Sequence, residues 1–73
     1  MDDETVRREA ERIAGSRGLT LEELYHTSLN SILVALLDYN KEESMTLIKA
    51  LAEKRYIPDD HVEQACDLLS VPR

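Results

Sequence analysis

Leu19-Thr20-Leu21-Glu22-Glu23-Leu24-Tyr25-His26-Thr27-Ser28-Leu29-Asn30-Ser31-Ile32-Leu33-Val34-Ala35-Leu36-Leu37-Asp38-Tyr39-Asn40 is the stretch whose reading decides the fold. Thr20 has the type and position of an N-cap, and Glu23 completes the capping box three residues on. Leu19 and Leu24 occupy the two positions of a hydrophobic staple, and Gly18 lets the preceding segment turn. Leu21, Tyr25, Leu29, Ile32, Leu33, Leu36 and Leu37 then fall on one face at helical spacing, while Val34 and Ala35 lie outside it. No Asp, Glu, Lys or Arg occurs from Leu24 to Leu37. A helix without charge over that length touches protein on most sides. One helix over 20–39 is expected, either at the centre of a bundle or against a second copy of the chain. The run is too short, and too rich in His26, Thr27, Ser28, Asn30 and Ser31, for a membrane span.

Outward from this helix the pattern stays helical. Residues 2–16 carry a thin apolar stripe, Val6, Ala10, Ile13 and Ala14, behind an acidic cap at Asp2 or Asp3. Gly15 and Gly18 bracket its end. Residues 42–56 place Met45, Leu47, Ile48, Leu51 and Ala52 on one face. Pro58 suits the first turn of a helix over 58–70, with Val62, Ala65, Cys66, Leu68 and Leu69 as its apolar positions and Pro72 as its stop. No strand-like alternation, repeat or linker interrupts the chain. The expected fold is all-α, a compact bundle of four helices (about 2–16, 20–39, 42–56 and 58–70) forming a single helical domain over 1–73.

Composition narrows the function classes. The chain has 73 residues, near the lower limit for a self-sufficient core, so dimerisation or a partner would help it. It contains no Phe or Trp, which makes the core aliphatic. The net charge is −6, distributed as −1 over 1–18, −3 over 19–40, +1 over 41–57 and −3 over 58–73. No segment is basic enough to displace the counterions of a nucleic acid or to hold an anionic membrane. Cys66 is the only cysteine, which suits a reducing, cytoplasmic location, and the acidic start Met1-Asp2-Asp3-Glu4 is not a secretory signal.

The search for chemistry returns structural readings. His26 and His61 read as one histidine at a core edge and one in solvent; His61 and Cys66 are five apart, on different faces of one helix, so no metal site is expected. Cys66 has Glu63 and Asp67 nearby, which disfavour a thiolate, and its spacing is that of a small buried hydrophobe. The pairs Glu22-Glu23, Glu42-Glu43 and Asp59-Asp60 sit in first helical turns, where the helix dipole accounts for them. No phosphate-binding glycine loop is present. The chain is expected not to be an enzyme and to need no cofactor.

Two stretches have helix-turn-helix spacing: Ala14, Gly18, Leu19 and Leu24, and later Ala52, Tyr56, Val62 and Ala65. The run from Arg17 to Leu24 resembles the opening of small phage-repressor-type domains over about a dozen residues. The resemblance implies a short second helix, a turn and then a recognition helix. The continuation Ile32-Leu33-Val34-Ala35-Leu36-Leu37 departs from it, because it reads as core. In the second stretch the reading helix would present Asp59, Asp60, Glu63 and Asp67 and no Lys or Arg.

The leading expectation is therefore a small acidic regulatory module that docks a helix face on a protein partner or on itself. Leu29, Ile32, Leu33, Leu36 and Leu37 are the candidate partner or dimer interface. Glu22, Glu23, Asp59, Asp60, Glu63 and Asp67 are the candidate acidic docking face, which an inhibitor or DNA mimic of the kind phages and plasmids encode would lay into a basic groove. A degenerate helix-turn-helix regulator is the third class.

Overall fold

A computed structural model of the chain describes residues 2–70. These residues form α1 (Asp3–Ser16), α2 (Leu21–Tyr25), α3 (Leu29–Ala35), α4 (Lys41–Glu53) and α5 (Asp60–Leu69), and no strand occurs among them. The class is all-α, but the helices number five. The single helix expected over 20–39 is two helices. The third expected helix starts at Lys41 and ends at Glu53, short of 56, and the fourth starts at Asp60, leaving Pro58 in the connection. The stop expected at Pro72 lies outside the described residues.

Local chemistry sets the helix starts. Asp2 caps α1 by accepting from the Thr5 amide at 2.8 Å. Hydrogen bonds from Thr5, side chain first and then backbone, hold the Asp2 carboxyl below its ordinary pKa. Thr20 with Glu23, and Asn40 with Glu43, each form a complete capping box.

A tertiary contact sits at the break between α2 and α3. In a continuous helix the Thr27 carbonyl would accept from the Ser31 amide. Here it accepts from His61 Nε2, 34 residues away in sequence, at 2.9 Å. The backbone at Ser28 is extended, with φ −68° and ψ 152°, and α3 begins after it. Thr and Ser are weak helix formers, so little local preference opposes the break. The new helical phase buries both Leu24 and Leu29, while Tyr25 is left exposed.

Two helices end in the same motif. After α1, the Leu19 amide bonds the Ala14 carbonyl at 2.8 Å and the Gly18 amide bonds the Gly15 carbonyl at 3.1 Å. After α4, Tyr56 bonds Leu51 at 2.9 Å and Arg55 bonds Ala52 at 3.0 Å. Both are Schellman motifs, which require a left-handed residue one place beyond the cap. Gly18 supplies it with φ 70°, and Arg55 does so with φ 66° despite its Cβ. Gly18→Ala is therefore expected to destabilise the chain by about 1 kcal/mol, and Arg55→Gly to stabilise it by up to about 1 kcal/mol. Urea denaturation of the two variants checks the opposite signs.

The core is aliphatic. Val6, Ile13, Leu24, Ile32, Leu47, Ile48, Leu51 and Ile57 are its largest fully buried side chains. α4 packs most extensively on α5; α1 packs on α2, α3 and α4; and α3 packs on α5. Arg12 fastens α1 to the end of α3: it donates to Glu9 at 2.9 Å, to the Tyr39 hydroxyl at 3.3 Å and to the Ala35 carbonyl at 3.5 Å. That last bond reaches a carbonyl that the final helical turn leaves without a partner. Burial opposes the Arg12 charge, but the hydrogen bond and charge of Glu9 outweigh it and raise its pKa.

Candidate functional site

The structure divides the five residues of the expected interface. Leu29, Ile32 and Leu36 are core residues, exposed by 3%, 0% and 3%. Leu33 is half-buried, and Leu37 is 77% exposed. The expectation that all five form one docking surface is thus corrected: Leu29, Ile32 and Leu36 are committed to the monomer core, with Leu33 and Leu37 farther round the helix from its buried side.

Two residues outside that set join Leu37 at the surface, Val34 at 52% and Leu68 at 60% exposure. Asn30, Val34 and Leu37 follow one another at i, i+4 and i+7, a single stripe of α3 that continues into the turn after it. On α5, Ala65 and Leu68 follow His61 at i+4 and i+7. The start of α5 meets the α2–α3 turn through His61 and Thr27. Its end meets the end of α3, where Leu69 lines a concavity of about 270 Å³ together with Leu33, Leu36, Leu37, Tyr39, Lys41 and Ser44. α3 and α5 therefore run side by side in the same direction, with Leu69 beside Leu37 and Leu68 one position before it on α5. Asn30 on α3 and Gln64 on α5 are exposed, and neither carries charge.

Sequence periodicity placed Leu68 with Leu69 on the inner face, yet adjacent residues differ by about 100° around a helix and only one turns inward. Leu69 is half-buried and Leu68 faces solvent. Val34 carried the available signal, since it already stood off the main apolar face.

The six acidic residues are all exposed. They do not make one uniform plate. Asp60, Glu63 and Asp67 form a stripe along α5 at i, i+3 and i+7. Arg55 bonds Asp59 at 3.5 Å and lines a shallow depression with Glu22, Leu21, Tyr25 and His26. A cation therefore lies between the acids of α2 and those at the start of α5. Glu23 is engaged in its capping box.

A third concavity, about 420 Å³ between α1 and α4, is lined by Thr5, Glu9, Tyr39, Glu42, Glu43, Thr46 and Leu47. Glu9 there accepts from Arg12 and Tyr39, and Glu43 holds the amide of Asn40. Cys66 is buried, as its spacing implied, and of the two histidines one sits at the core and one in solvent: His61 is buried and His26 is exposed. Among the described residues no three His, Cys, Asp or Glu side chains are placed to hold a metal ion, and no helix is long and apolar enough to cross a membrane. Comparison of the chain with protein-family models, curated proteins and solved structures gives no significant match.

Proposed function

We propose that this chain is a small protein–protein interaction module that docks through the face shared by α3 and α5. The observation that carries the reading is the exposure of Val34, Leu37 and Leu68 on and beside two packed helices, in a chain where 33% of residues are charged. Large exposed apolar side chains gathered on a small protein can mark an interaction site. A photo-crosslinking side chain at position 37 should yield a discrete adduct in cells, whereas the same group at Glu11, on the charged face of α1, should not. Equal labelling from both positions, or none from position 37, sinks the docking reading.

A second reading is a helix-turn-helix regulator. It is favoured by the short α2, the His26–Ser28 turn and α3, an order from which the expected single helix over 20–39 departed. Against it stands the chemistry of α3, which has no Lys or Arg to meet phosphate. A gel shift on mixed duplex DNA at low salt should show no complex; a complex that dissociates as salt rises would put this reading first.

A further inference from the structure

Resting on the docking reading, we infer that the partner on the α3–α5 face is a second copy of this chain, held across a two-fold axis near Leu37. The argument is one of charge. At a net charge of −6, two copies repel each other wherever they present an average face. Between Leu24 and Lys41 the only charged residues are Asp38 and Lys41, so this stretch is neutral. Both are exposed, Lys41 lines the Leu33–Leu37–Leu69 concavity while Asp38 directly follows Leu37 in the chain, and among the described residues neither makes an ion pair. Among the described residues, ion pairs join Arg7, Arg8, Arg12, Lys54 and Arg55 to acids of the same chain.

A patch with one acid and one base beside an apolar centre is self-complementary. A two-fold axis brings residue i of one protomer to residue j of the other and j to i. Placed near Leu37, it sets Lys41 of each protomer toward Asp38 of the other while Leu37, Val34 and Leu68 leave water. A basic partner would instead be drawn to the α5 stripe of Asp60, Glu63 and Asp67, and an acidic partner would be repelled by the whole chain. The neutral patch favours a surface balanced in the same way, which the chain itself provides.

Sedimentation equilibrium of the full chain over about a hundredfold range of concentration tests this, because association is set by mass action. The expected mass rises from 8.3 kDa toward twice that value. Leu37→Asp should weaken the association by about tenfold or more. Its far-ultraviolet circular dichroism should stay unchanged, since Leu37 is exposed. Lys41→Asp should also weaken the dimer, by placing carboxylates opposite each other. Adding Asp38→Lys to that variant should restore the association by reversing both cross-pairs. A chain that stays at 8.3 kDa throughout overturns the inference. If position 37 nevertheless crosslinks to a different protein, the docking reading stands and only the identity of the partner falls. A dimer indifferent to Leu37→Asp, or a charge swap that fails to restore it, overturns the two-fold arrangement.

Discussion

Ile32→Ala is expected to lower the unfolding free energy by about 3 kcal/mol, whereas Leu37→Ala should change it by less than about 0.5 kcal/mol. Both residues belong to the one apolar face that periodicity draws through 20–39. Ile32 is 0% exposed and Leu37 is 77% exposed. Truncating the first removes buried methyl groups and leaves a cavity in a core with no Phe or Trp to collapse into it. Truncating the second removes atoms already in water. For a chain of 73 residues the whole stability is on the order of 4–11 kcal/mol, so the Ile32 variant loses a large share of it. Urea denaturation at a concentration where the chain is monomeric gives the comparison directly, with an unchanged slope showing that the unfolded reference is the same. Equal losses at the two positions would mean that α3 is not rotated as described, and the docking face would go with it.

The contrast between these residues shows what was legible in the sequence. Caps were legible because their chemistry is local: Thr20 with Glu23 starts α2 where expected, and both partners lie within one helical turn. The core faces of α1 and α4 were legible because nothing interrupts their phase; Val6, Ala10, Ile13 and Ala14, and Met45, Leu47, Ile48, Leu51 and Ala52, are all buried. The α2–α3 break was not, because the bond made at it comes from His61, which no window around Thr27 contains. The interface read from periodicity lies wholly after the break, and it mixed core with surface because its five residues span a wider arc than α3 buries. Ile57 was missed for a related reason. It is fully buried, but it lies in the connection after the Schellman motif at Arg55, where no period applies.

His61→Ala is expected to cost about 3 kcal/mol, combining lost ring packing with a carbonyl left without its donor. His61 is 9% exposed, and its Nε2 donates to the Thr27 carbonyl. Among the described residues its buried Nδ1 has no hydrogen-bond partner. His61→Leu therefore makes two opposed changes: it removes one unsatisfied ring nitrogen and leaves the Thr27 carbonyl without its donor. With the volume largely refilled, its loss should fall to about 1 kcal/mol, the net contribution of one hydrogen bond. Urea denaturation ranks the series, and hydrogen exchange locates it. In His61→Leu the hydrogen-bonded amides at the starts of α3 and α5, Ile32 and Val62, should lose protection together, because one bond closes both ends of that contact. If protection falls at α5 alone, the α2–α3 turn holds itself, and the break would have to be explained by Thr27 and Ser28 without help from His61. If both fall together, the helix break and the seating of α5 are one event, and the α3–α5 face exists because a single imidazole takes a carbonyl that a longer helix would have kept.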